Sequence, residues 1–234
     1  MPTLDLTGVD ALTFDCYGTL IDWETGLAAA FEPILAAHGI AIDADPVLER
    51  YARHEAEAEA GPHLTYREVL AAGLRGVAVE LGFSPTSSEV ATFSGSVVDW
   101  PAFPDSPAAL QRLHRRFRLG VITNCDDDLF DASARRLGVD FDWIVTAQQA
   151  RSYKPSEANF MLAFERLGLP REGIVHVAQS LFHDHVPAKR LGLRSVWINR
   201  RGDRVGSGAT PPAEASPDAT FPDMASFAAA AVPD

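Results

Sequence analysis

Positive charge is scarce in this chain. Its 234 residues carry 20 Lys and Arg against 32 Asp and Glu, a formal net charge of -12 at neutral pH. Nucleic acid and anionic membrane are therefore not expected partners, because their phosphates must be met by clustered Lys and Arg. A small anionic organic substrate stays open, since it needs only a local positive pocket. Cysteine is nearly absent too. Cys16 and Cys125 are the only two, both at the ends of apolar runs. They are too few for a disulfide framework and read as buried free thiols of a reducing compartment. Long apolar runs are missing, so no segment approaches a membrane span. The opening "MPTLDLTGVD" lacks a basic region followed by an apolar one, so no secretion signal is expected and the expected location is cytoplasmic.

What is present is ordinary globular material, 47% hydrophobic and 22% charged. Five short runs rich in Val, Ile and Phe stand out: 11–16, 117–124, 141–147, 173–179 and 194–199. Their near-continuous apolarity suits parallel strands covered on both faces. Helical patterns at 106–116, 128–138, 156–168 and 184–192 alternate with them, each but the first closing on Gly. This rhythm predicts an α/β fold with a doubly wound, Rossmann-like parallel sheet.

One segment breaks the rhythm. Residues 22–100 hold Ala-rich, charge-flanked helical stretches and no comparable buried strand. They are expected to form a helical cap domain over the carboxyl ends of the strands, with 1–21 and 101–234 as the core domain. The Pro-, Gly- and Ser-rich tail 202–223 reads as a surface loop before a last short helix.

The strand ends carry the informative side chains. Asp15 and Thr19 follow the first strand, Thr123 and Asn124 close the second, Lys154 follows the third and Asp184 the fourth. Each has a plain structural reading. Asp15 can cap a turn, Thr123 and Asn124 can satisfy loop amides, Lys154 can be solvated, and Asp184 can N-cap a helix. Their shared placement at the edge where such sheets bind ligands favours a site.

The set "FDCYGTL", "VITN", "YKP" and "HD", in that order, resembles the haloacid dehalogenase superfamily, with a cap inserted after the first motif. The resemblance spans essentially the whole chain and implies that Asp15 is a nucleophile forming a covalent intermediate. Phosphatases of that superfamily place a second Asp two residues after the nucleophile and a metal-binding Gly-Asp pair in the fourth motif. Here those positions are Tyr17 and Ala178-Gln179. A hard divalent cation prefers carboxylate oxygens, so this pattern implies no metal and no cofactor. The Asp-x-Tyr-Gly-Thr form is similar to the L-2-haloacid dehalogenase branch, which implies hydrolysis of small 2-haloalkanoic acids.

Under that resemblance Lys154 keeps Asp15 ionised and Asp184 is the base that activates water. Thr19, Thr123 and Asn124 orient carboxylates and bind substrate oxygens, and Tyr17 lines the pocket. Relatives of this kind use a cap arginine to grip the substrate carboxylate and are often homodimers. Of Arg50, Arg53, Arg67 and Arg75, Arg53 is the choice, against a solvated face paired with Glu57. The chain departs from the branch at Phe160, Gln179 and Leu181. A magnesium-dependent phosphatase and a non-catalytic binding module remain as alternatives. His183 and His185 flank Asp184, but neighbouring side chains diverge on a starting helix, so no metal cluster is expected there.

Overall fold

The computed structural model describes residues 5–204 and 208–233. Strand β1 (Ala11–Phe14) is buried along its whole length because it lies inside the sheet. It pairs in parallel with β2 (Arg118–Thr123) on one side and β4 (Ile174–Ala178) on the other. Strand β3 (Trp143–Thr146) flanks β2, while β5 (Arg194–Ile198) and β6 (Ala219–Phe221) continue beyond β4. Among the described residues the order is β3-β2-β1-β4-β5-β6, all parallel.

The chain leaves β1 toward β2 and later returns to β4 on the opposite side. That reversal opens a crevice between the carboxyl ends of β1 and β4. Asp15 sits there, its N–H donating to the Val177 carbonyl (3.1 Å).

Residues 22–100 are helical, as expected. They form α1 (Trp23–Ala37), α2 (Ala44–Ala60), α3 (Tyr66–Leu81) and α4 (Ser87–Gly95), followed by a single 3-10 turn. A narrow stem joins this segment to the sheet. Asp22 N–H donates to the Pro101 carbonyl (2.8 Å) and Phe103 N–H to that of Leu20 (3.0 Å). Trp100 is buried against Gly26, where an added Cβ would come within 2.3 Å of the indole. Helix α3 starts with a capping box between Thr65 and Glu68. Its Tyr66 N–H, an orphan donor at a helix start, is taken by Asp126 (2.9 and 3.0 Å) from the far side of the stem.

The remaining helices are α5 (Ser106–His114), α6 (Asp127–Leu137), α7 (Ala147–Ala150), α8 (Ala158–Leu167), α9 (Val186–Arg190) and α10 (Met224–Ala231). Two expectations change. The 202–223 tail contains β6, three residues that complete the β5 edge. At the start of α6, Asp126 holds α3 and Asp127 accepts from Thr146 Oγ1 (2.7 Å). Asp184 does not cap a helix. Ser180 does that, accepting the His183 N–H (2.9 Å), and Asp184 lies within the π-helical turn Leu181–His185. No helix among the described residues is long and apolar enough to cross a membrane.

Candidate active site

The turn after β1 holds Asp15 by both carboxylate oxygens. Thr19 Oγ1 donates to Oδ2 (2.7 Å) and Lys154 Nζ to Oδ1 (2.8 Å). Thr19 Oγ1 in turn accepts the Gln179 N–H (2.8 Å), fastening the β1 turn to the end of β4. Gly18 makes the turn possible. Its φ is +91°, and a Cβ there would lie 3.0 Å from Trp23 Nε1.

Lys154 is fully buried, and its three N–H groups go to Asp15, Asp184 Oδ1 (2.6 Å) and the Ile122 carbonyl (2.8 Å). An ammonium has three donors and no more, so this one is saturated. Asp184 Oδ1 also meets His176 Nε2 (3.0 Å), while His176 Nδ1 faces Thr13 Oγ1 (2.9 Å). The consistent tautomer has the proton on Nε2 and Thr13 donating to Nδ1. Asp184 Oδ2, equally buried, has no hydrogen-bond partner.

One ammonium between two carboxylates divides their behaviour. Burial pushes Asp184 up, but Lys154 and His176 outweigh it and hold the carboxyl well below the usual range. Burial dominates at Asp15, and the Asp184 charge adds to it, so that carboxyl is raised although Lys154 and Thr19 oppose the shift. The expected help from Lys154 is present and smaller than desolvation. Burial lowers Lys154 itself, but the two aspartates more than compensate and it stays cationic.

The other expected site residues divide. Tyr17 lines the cavity over Asp15, with its hydroxyl bonded to Ser133 Oγ (3.0 Å) and its ring stacked on Tyr66. Asn124 also lines it, but its amide is largely engaged. Oδ1 accepts the Lys154 N–H (2.7 Å) and Nδ2 donates to the Lys154 carbonyl (3.0 Å), so Asn124 positions the lysine loop. Thr123 is fully buried, its hydroxyl lacks a partner, and it does not line the cavity.

Arg53 is exposed, bonds both oxygens of Glu80 on α3 (3.1 Å each), and lines the larger neighbouring cleft rather than the cavity over Asp15. Arg50 also pairs with Glu80 and Arg67 with Asp128, so neither supplies the missing cation. The reason is helical phase. The inward face of α2 carries Tyr51, Glu55 and Glu59 at four-residue spacing, and Arg53 is two residues off it.

Glu55 and Glu59 are the residues sequence reasoning missed. Glu55 is buried and its Oε1 accepts the hydroxyls of Tyr51 (2.9 Å) and Tyr66 (3.0 Å). Burial pushes its carboxyl up to about 7. Glu59 receives Asn124 Nδ2 at 3.2 and 3.3 Å, and burial with the neighbouring Glu55 raises it well above its ordinary value. His183 Nε2 lies 3.7 Å from Glu59 Oε2, and burial lowers its pKa to about 4, so it is neutral near pH 7. The apolar stripe Val47, Leu48, Tyr51 and Ala52 pointed to position 55 as buried, which was the available signal.

The closed space among these groups is about 30 Å³. A larger cleft of about 880 Å³ meets it at Thr210. Among the described residues no three His, Cys, Asp or Glu side chains are grouped to hold a metal ion. The Lys154 ammonium lies between Asp15 and Asp184, and Gln179 supplies no carboxylate. The donor set therefore does not fit the divalent cation of phosphatase relatives.

A family model described as haloacid dehalogenase-like hydrolase matches residues 9–181. Haloacid dehalogenase-like hydrolase domain-containing protein 3 of Danio rerio is 34% identical over 106 residues, 44% of this chain and 43% of that protein. This chain thus spans less than half of that relative. Haloacetate dehalogenase H-2 of Moraxella sp. (strain B) is 27% identical over 225 residues, 92% of this chain and 95% of that protein. The crystal structure of a defluorinating L-2-haloacid dehalogenase superposes with a TM-score of 0.79 at 25% identity, covering 94% of each chain.

Proposed function

The chain belongs to the haloacid dehalogenase-like hydrolase family, and we propose that it hydrolyses the carbon–halogen bond of a small organic halide through an ester at Asp15, with no metal step. In this reading residues 22–100 are the cap and 1–21 with 101–234 the core. The 2-haloalkanoic acids brought in by the names of its relatives are the first compounds to assay.

One observation carries the proposal. Lys154 bridges Asp15 (2.8 Å) and Asp184 (2.6 Å), leaving Asp184 Oδ2 buried beside the nucleophile without a partner. The Asp15 carboxylate attacks the carbon bearing the halogen, forming a carbon–oxygen bond as halide leaves with the bonding electrons. A departing halide needs no proton, which agrees with Tyr17 where phosphatases carry an acid. Water then adds to the ester carbonyl of Asp15 while Asp184 takes its proton through Oδ2. Collapse expels the alkoxide, which takes the proton back from Asp184 and leaves as the alcohol. The Asp15 carboxyl loses its remaining proton to solvent to return as the carboxylate. Lys154 offsets the charge of both carboxylates throughout.

The test is halide release with EDTA present, for the wild type and Asp15→Asn, from (S)-2-chloropropionate and its amide. Release by the wild type alone supports the reading. Release by neither protein from either compound contradicts it.

A further inference from the structure

We infer that the end of the substrate facing the cap is a nitrogen-bearing hydrogen-bond donor, an amide or an ammonium, received by Glu59, and not a carboxylate. The inference rests on the hydrolase reading above for the reacting end of the substrate. The opposite wall of the same cavity carries it.

That wall is α2. Tyr51, Glu55 and Glu59 face inward one turn apart, and the Glu55 carboxyl is fixed by the Tyr51 and Tyr66 hydroxyls. Glu59 lacks a comparable clamp. Asn124 Nδ2 reaches its two oxygens at 3.2 and 3.3 Å while bonding the Lys154 carbonyl more closely at 3.0 Å. No lysine or arginine pairs with Glu55 or Glu59 among the described residues, since the cap arginines Arg50, Arg53 and Arg67 point to Glu80 and Asp128. Glu59 is therefore a buried acceptor held by weak donors.

The charges around it come from every packed element. The β1 turn brings Asp15, the π-helical turn brings Asp184 and His183, the loop before α8 brings Lys154, and α2 brings both glutamates. Among the described lining residues the only permanent cation is Lys154, and its three N–H groups are committed. An entering carboxylate would meet Asp15 and Asp184 against one saturated ammonium, and like charges at short range raise each other's energy. An N–H donor meets the reverse situation.

An independent observation points the same way. Asp184 Oδ2, on the sheet side of the cavity, is buried and without a partner. The cavity thus holds one unpartnered acceptor on the sheet wall and the long Asn124–Glu59 contacts on the cap wall, and buried acceptors favour an occupant that supplies protons to them. Burial raises both the Glu55 and Glu59 carboxyls, and at Glu59 the neighbouring Glu55 adds to the shift while Lys154 and Asn124 oppose it. The small closed volume limits the substrate to a few heavy atoms or requires the cap to open.

The experiment compares halide release from (S)-2-chloropropionate, 2-chloropropionamide and 2-chloroethylamine by the wild type, Glu59→Gln and Glu59→Arg. The expected result is kcat/KM for the amide or the amine at least about tenfold above that for the acid, with Glu59→Arg reversing the order. The amide and amine arms separate an uncharged from a cationic donor. A wild type that prefers the acid, or an order unchanged in both variants, overturns the inference. Glu59→Gln covers the case in which the arginine variant does not fold.

A second readout does not need the chemistry. Propionamide, ethylamine and propionate are added to Asp15→Asn and thermal unfolding is followed. Stabilisation by the first or second and not by propionate supports the inference even if no compound releases halide, in which case the hydrolase reading alone fails. Stabilisation by propionate alone, or by none of the three, overturns it.

Discussion

Lys154 Nζ lies 2.6 Å from Asp184 Oδ1, and both side chains are buried. One comes from the loop before α8 and the other from the turn after β4, so the contact ties two strand ends across Asp15, the proposed nucleophile, at the end of β1. Without the ammonium, Asp15 and Asp184 would be two buried carboxylates with no charge between them. The same interaction therefore supports both the fold at this edge and the chemistry assigned to it.

Lys154→Met should accordingly be inactive and less stable. Removing one partner of a buried ion pair costs about 3–5 kcal/mol. In the variant both carboxyls are raised relative to the unfolded chain, so the native state binds more protons and stability falls as pH rises. Guanidinium unfolding at pH 5 and pH 7 checks this. A variant as stable as wild type at pH 7 contradicts the role given to Lys154.

The low-pH side of the activity profile should report Asp15. Its carboxyl is raised, chiefly by burial, and only the ionised form attacks carbon. The kcat/KM should therefore rise with pH through a point above the ordinary aspartate range. A profile flat down to pH 4 contradicts the burial argument.

Glu55 should make the wild type less stable as pH rises. Its carboxyl sits at about 7 in the folded chain against an ordinary value of 4.5. Between those values the native state holds a proton that the unfolded state has lost, so stability is greatest below the unfolded value and declines toward pH 7. The full shift corresponds to at most about 3 kcal/mol. Thermal unfolding of wild type and Glu55→Gln from pH 4.5 to 8 checks it, and the variant should lose part of the decline. Parallel curves contradict the prediction.

Arg53→Ala should leave catalysis nearly unchanged. The side chain is exposed on the Glu80 face, where an ion pair contributes no more than about 1 kcal/mol. The kcat/KM should stay within about twofold of wild type and the unfolding midpoint should shift only slightly. A rise in KM of more than about tenfold would return Arg53 to the site.

The sheet and the polar residues at its strand ends were legible because their signals are local. Apolar runs followed by Asp15, by Asn124 and, one turn further on, by Asp184 specify buried parallel strands with polar residues at one edge. Strand β6 was not legible, since three residues in a Pro-rich tail have no period to read and pair only because β5 offers an open edge. The cap wall is illegible for a different reason. Charge singles out Arg53 in the sequence, whereas the phase of α2 decides what faces the cavity over Asp15. Read by phase, Val47, Leu48, Tyr51 and Ala52 place Glu55 on the buried stripe, but nothing in the sequence says which neighbour that stripe meets. Thr123 shares the strand end of Asn124, but its side chain is fully buried and does not line the cavity.

The most direct test of the central claim is a single turnover in heavy-oxygen water with enzyme in excess over a substrate that releases halide. The peptide containing Asp15 is then examined by mass spectrometry. Hydrolysis of an Asp15 ester at its carbonyl places heavy oxygen in the Asp15 carboxylate and leaves ordinary oxygen in the alcohol product. Heavy oxygen in the product with none in Asp15 would mean that water attacks carbon directly, and would contradict nucleophilic attack by Asp15.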